Sequence, residues 1–132
     1  MTEISRKRFF SGLDSEKRYA YCRALRVGDR VHVSGSTALV SGGGVAEGQE
    51  NDAHAQSSEA LRRIADALQN FGLSLSHIVA VRGYLTGPEH VEGYLKAHAE
   101  AFSDAPPAST MVGTSFLADP ALVVEIEVEA TA

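Results

Sequence analysis

Within the stretch Leu122–Ala130, the run from Val124 onward alternates strictly, with Val124, Ile126 and Val128 set against Glu125, Glu127 and Glu129. A period of two puts the aliphatic residues on one face of a strand and three carboxylates on the other. Such a strand belongs in a sheet with one packed face and one polar face. The packing material is limited, because only two segments have helical spacing. One is Asn51–Phe71, with Leu61, Ile64, Leu68 and Phe71 in register; the other runs from Pro88 through Val91, Tyr94, Leu95, His98 and Phe102. Asn51 or Asp52 can cap the first helix and Gly72 follows its end. Pro88 suits the first turn of the second, and Pro106-Pro107 stops it. Two helices cover one face of a sheet and leave the other to water or to another subunit.

The remaining strand signals are Tyr19–Arg26, Arg30–Ala38, Ile78–Thr86 and Ser109–Phe116, with Val27-Gly28-Asp29-Arg30 as a hairpin turn. The predicted order is β-β-α-β-α-β-β, with room for an extra N-terminal strand. This is an α+β fold, expected as a single domain over residues 1–132. Parity then assigns the faces. Val31, Val33, Val79, Val81 and Leu85 should point to the helices, leaving His32, Ser34 and Arg82 on the free face. Thr110 and Val112 read as the inward pair of their strand, with Ser109, Met111 and Gly113 outward.

Composition narrows the function classes. The net charge is −5, Arg6-Lys7-Arg8 is the single basic cluster, and there is no tryptophan. A nucleic-acid binder draws its affinity from clustered cations, so nucleic acid is disfavoured. Apolar runs such as Ile78–Val81 and Ala121–Val124 stop at four residues, far short of the roughly 20 that a membrane-spanning helix needs. The basic N-terminus is followed by no apolar core, so no secretory signal is readable and a cytoplasmic protein is expected. The lone Cys22 leaves no internal disulfide. His32, His54, His77, His90 and His98 show no metal-site spacing, so neither a metal nor another cofactor is expected. Ser41-Gly42-Gly43-Gly44 lacks the Gly-Lys-Ser/Thr ending of a phosphate loop and reads as a turn.

Four pieces, in their order and spacing, resemble the Rid (reactive intermediate deaminase) family, also called YjgF-like or L-PSP endoribonuclease-like. They are Tyr21-Cys-Arg-Ala-Leu-Arg-Val-Gly-Asp-Arg-Val-His-Val-Ser34-Gly35, the Gln56–Gly72 helix, Pro107-Ala-Ser-Thr-Met-Val112 and Val124-Glu-Ile-Glu. The resemblance covers nearly the whole chain. It implies a chorismate-mutase-like fold assembled as a homotrimer, with helix-free sheet faces turned inward and small-molecule clefts between subunits. Members that act as deaminases hydrolyse imines and enamines such as 2-aminoacrylate. They hold the substrate carboxylate with an arginine in a Pro-Ala-Arg-Ser-like motif, and that position falls here on Ser109. The other matching positions imply ligand contacts at Tyr21, Ser34 and Gly35, with Met111 in place of a cleft cysteine. The water-orienting glutamate falls on Glu125, or on Glu127 if the Asp119-Pro120 turn shifts the register.

The loss of the arginine has a magnitude. A guanidinium grips a carboxylate through two parallel charge-assisted hydrogen bonds. One such bond contributes about 1.5–3 kcal/mol, so a serine in its place should weaken carboxylate binding at least about tenfold. Arg82 is the obvious substitute on the free face, and the competing reading, which we favour, is an ion pair with Glu125 or Glu127. Ser34 sits in no Gly-x-Ser-x-Gly elbow, so it reads as a ligand contact or a turn residue rather than a nucleophile. Tyr21 offers its hydroxyl to a ligand or lies in an interface. Cys22 and His98 read as packed side chains. The sequence therefore predicts a Rid-like homotrimer with small-molecule clefts and weak deaminase activity at most; the alternative is a non-catalytic binding protein of the same fold. Endoribonuclease activity is a third, weaker reading.

Overall fold

The computed structural model describes residues 3–132. Its strands are β1 (Arg6–Phe9), β2 (Ala24–Val27), β3 (Arg30–Ser36), β4 (Ile78–Leu85), β5 (Ala108–Gly113) and β6 (Val124–Thr131). Helix α1 (Asp14–Tyr19) precedes β2, α2 (Ala53–Gln69) follows β3, and α3 (Val91–Phe102) follows β4. The six strands form one sheet in the order β1-β2-β3-β6-β4-β5. All neighbours are antiparallel except β4 and β5, which run parallel. This is the chorismate-mutase-like α+β arrangement that the family resemblance implies, with one sheet face left free as the helix count predicts.

Aliphatic burial holds α2 on the sheet. Leu61, Ile64 and Leu68 pack against Val31, Val81, Val124, Ile126 and Val128, all of them buried. The Asp52 side chain caps the helix by accepting from the Ala55 N–H at 2.9 Å. Gln56, fully buried on this helix, ties it to the chain that leads into β6. Its Nε2 donates to the carbonyls of Gln49 and Ala121, and its Oε1 accepts from the Val123 N–H, each at 3.0 Å. The residues just before Glu125 are thus fixed from the helix layer.

Four expectations need correction. Tyr19 lies in a short helix, and the first hairpin strand begins only at Ala24. Six residues between two ordered segments carry too little periodicity to separate a turn of helix from a strand. Val79 does not point inward: it is the extra residue of a β-bulge between Ile78 and Ala80, is 46% exposed, and Ile78 is buried in its stead. Leu95, which the helical stripe included, is likewise exposed. His98 does pack, between the rings of Tyr94 and Phe102, whereas Cys22 is only half-buried.

Candidate functional site

The helix-free face carries the glutamates. Tyr84 stands opposite Glu125 and Arg82 opposite Glu127, and His32 pairs with Glu129. Paired residues share a face, so all six lie together. The Arg82 Nε is 3.1 Å from the Glu127 Oε1, and its Nη2 is 3.2 Å from the Glu129 Oε1. The Tyr84 hydroxyl also donates to Glu127. The His32 Nδ1 lies 3.8 Å from Glu129. The hydrogen bonds that Arg82 donates to Glu127 and then to Glu129 push its guanidinium higher still, so it stays charged. Arg82 is therefore in an ion pair, with Glu127 and Glu129 as partners rather than Glu125.

Glu125 stands apart from this network. Burial pushes its carboxyl above the usual carboxylate range; the charge of Arg23 pulls it back down and Glu127 raises it. It rests against Gly35, where a β-carbon would overlap its Oε2. Ser34, next to Gly35, donates its hydroxyl to the Cys22 carbonyl at 2.7 Å. Tyr21 places its hydroxyl 2.7 Å from the Ser15 Oγ and its ring 5.6 Å from the Arg23 guanidinium carbon. Tyr21, Ser34, Gly35 and Glu125 thus gather around one residue that the sequence reading passed over. Arg23 is buried and donates to the Gly35 carbonyl at 2.7 Å. A signal for it existed, since Arg23 lies two residues from Tyr21 and shares its parity. Glu16, which meets Arg23 at 3.4 Å, had no such signal because its short helix carries no readable periodicity.

Ser109 and Met111 fall elsewhere. The parallel register pairs Val81 with Ser109, Arg82 with Thr110 and Gly83 with Met111. Val81 points to the helices, so Ser109 and Met111 do too, and Thr110 and Val112 lie on the free face. The expected parity of β5 is reversed. The reason is physical: β5 is an edge strand with all six residues exposed, so no burial imprints a pattern on its sequence. Ser109 stands beside the Tyr94 hydroxyl, which is buried, reaches to Gly83 and has no hydrogen-bond partner among the described residues. Burial pushes the Tyr94 phenol up, and the Ser109 side chain offsets part of that shift. Next to Met111 a groove of about 450 Å³ opens, lined by Leu85, Pro88, Val91, Val112 and Gly113 among others.

The two groups of residues do not meet within one chain. Glu125 and Gly35 are on the helix-free face, Ser109 and Met111 on the other. From β3 to β5 there are three inter-strand steps, roughly 14 Å. Among the described residues there is no group of three or more His, Cys, Asp or Glu side chains that could hold a metal ion. No helix among them is long and apolar enough to cross a membrane.

Comparison with known proteins agrees with this architecture. The family model described as endoribonuclease L-PSP matches residues 13–132. A Streptomyces coelicolor protein described as uncharacterized is 32% identical over 130 residues, covering 98% of this chain and 95% of its own. The crystal structure of Rv2704 from Mycobacterium tuberculosis, a member of the YjgF/YER057c/UK114 family, is 35% identical with a TM-score of 0.86, covering 97% of this chain and all of that one. A Pseudomonas aeruginosa protein of unknown function, PA3499, is 26% identical with a TM-score of 0.82, over 98% of this chain and 94% of its own. The chain belongs to the endoribonuclease L-PSP family, the Rid or YjgF-like family.

Proposed function

We propose that the protein is a small-molecule-binding homotrimer in which each cleft forms between two copies of a single domain spanning residues 1–132. The observation that carries this reading is the division of the family's site positions between opposite faces of one sheet. Glu125, Gly35, Ser34 and Tyr21 of one subunit would meet Ser109, Met111 and the groove beside them on another. The exposed edge strand β5, with Met111 and Val112 open to solvent, supports the same assembly.

In such a cleft Glu125 is suited to orient a water molecule and accept its proton. Attack of that water on the carbon of a C=N bond gives a carbinolamine. Return of the proton to nitrogen and loss of ammonia leave the carbonyl compound. Met111 and the aliphatic lining of the groove favour a ligand with apolar character. Ser109 offers no cation to a carboxylate, and Arg82 is engaged by two glutamates. The ligand class that fits is therefore an imine, enamine or related reactive metabolite not gripped through its carboxylate at this position. Ser109 also favours a second reading, a binding protein that keeps the cleft without the chemistry.

Light scattering tests the assembly: the expected mass is three times the 14.0 kDa chain at micromolar concentration. A mass of one chain would overturn the shared cleft. If the trimer forms but releases no ammonia from any of a panel of imines, the second reading stands.

A further inference from the structure

Arg23 is the one buried cation at this site among the described residues, and the proposed chemistry leaves it without a task. Its Nη1 donates at 2.7 Å to the Gly35 carbonyl and at 3.5 Å to the Ser34 carbonyl. Its Nε reaches the Glu16 Oε2 at 3.4 Å, a single long contact. Glu16 is itself held, accepting from the Ser11 N–H at 2.9 Å and from the Ser11 hydroxyl. The ring of Tyr21 lies against the guanidinium. Against the same residue, Gly35, rests the Glu125 carboxyl, in the space that a side chain would fill. One glycine is thus held by a fixed cation and touched by a half-buried acid.

We propose that Arg23 is the positioning residue of the site: it fixes the Gly35 peptide that Glu125 rests against and brings a buried positive charge to that acid. The proposal rests on the reading of Glu125 as the group that takes a proton from water. The surroundings show why such a residue is needed. Burial and the charge of Glu127, two residues along β6, both favour the protonated acid, and only Arg23 opposes them. From β4, Tyr84 faces Glu125 but turns its hydroxyl to Glu127. From β3, Ser34 and Gly35 bring no charge, and His32 lies nearest Glu129. From α1, Glu16 is paired with Arg23. A carboxyl that kept its proton could not accept another, so the cation has a function beyond holding the fold.

Carboxyl-carbon NMR titration of Glu125 in the full-length protein, assigned with Glu125→Gln, tests this without any substrate. In Arg23→Met the Glu125 midpoint should move up and the Gly35 amide resonance should shift. In Arg23→Lys the charge remains and the midpoint should stay near that of the parent. In Glu16→Gln, which leaves Arg23 unneutralised, the midpoint should move down. The last variant keeps the test decisive if Arg23→Met does not fold. An unchanged midpoint in whichever of the Met and Gln variants folds would overturn the proposal, as would equal displacement by Lys and Met. Absence of turnover would bear on the hydrolase reading alone, since the titration involves no substrate.

Discussion

The carboxyl of Glu125 occupies the space that a side chain at Gly35 would need. A β-carbon there would overlap Oε2 and approach Cδ to 2.9 Å. The obstructing atoms are the far end of a flexible side chain, and the backbone of Gly35 does not have a positive φ. Gly35→Ala should therefore fold, losing on the order of 1–3 kcal/mol at most, while expelling the carboxyl towards solvent. Its titration midpoint should fall towards the ordinary carboxylate value, and any ligand that contacts Glu125 should bind at least about tenfold more weakly. A crystal structure of the variant with Glu125 unmoved would refute this.

The raised proton affinity of Glu125 has a consequence for stability. Its folded pKa lies above the unfolded value of 4.5 because burial disfavours the charged form. Between those two values the folded state binds more protons than the unfolded state, so stability falls as pH rises through that window and stays lower above it. Glu125→Gln removes the penalty. Its melting temperature should exceed that of the parent at pH 7 to 8, and the gain should vanish at a pH below the ordinary carboxylate range. Parallel melting curves across that range check it.

Without an arginine at position 109, ammonia release from 2-aminoacrylate, generated by a coupled dehydratase, should run little above the uncatalysed rate. Ser109→Arg tests whether the missing guanidinium is the reason. The new side chain starts on the helix-facing side, beside the Tyr94 hydroxyl, and must run past it to the exposed strand edge. If it reaches the groove next to Met111, pyruvate and 2-oxobutyrate should bind about tenfold tighter by calorimetry. Another subunit's Glu125 would neutralise part of that gain, so Ser109→Arg with Glu125→Gln is the control. No improvement in either variant would mean that the cleft takes a different ligand class.

Gln56 supplies a prediction on the scaffold. Gln56→Ala leaves the Ala121 carbonyl and the buried Val123 N–H without partners, while the Gln49 carbonyl keeps the Asp52 N–H. Each orphaned group costs about 1–3 kcal/mol, so a loss of roughly 2 kcal/mol or more is expected in denaturant titration. The loss should be accompanied by faster amide exchange at the start of β6. A change below 1 kcal/mol would show that water takes over the amide's contacts.

Gly83 is a second scaffold test. The tip of the buried Tyr94 ring lies against it, with Cε1 2.7 Å from where a β-carbon would stand. The ring is packed on all sides, unlike Glu125, and cannot swing away. Gly83→Ala should thus cost about 1–3 kcal/mol, whereas Gly113→Ala, whose β-carbon would stand an ordinary 4.0 Å from the Leu85 carbonyl oxygen, should be nearly neutral. Thermal melts of the two variants decide.

The sequence by itself determined the elements whose residues lie half in and half out of a core. The alternation of β6, the valines of β3 and the Leu61–Ile64–Leu68 stripe of α2 record burial directly, because water penalises every aliphatic side chain on the wrong side. The same logic left Arg82 and the glutamates together on the helix-free face, where the ion pair is found. It failed where no such penalty acts. On β5 every residue is exposed, so only the parallel pairing with β4 decided that Ser109 and Met111 face the helices. At Val79 a bulge shifted the parity by one residue, and bulges leave no mark on apolar patterning. The cluster around Arg23 depended on α1 bringing Glu16 to the start of β2 and on Gly35 making room for Glu125. Those are distances between segments far apart in the chain. Periodicity measures how a residue faces its own core; which distant side chain it meets there is decided by tertiary packing.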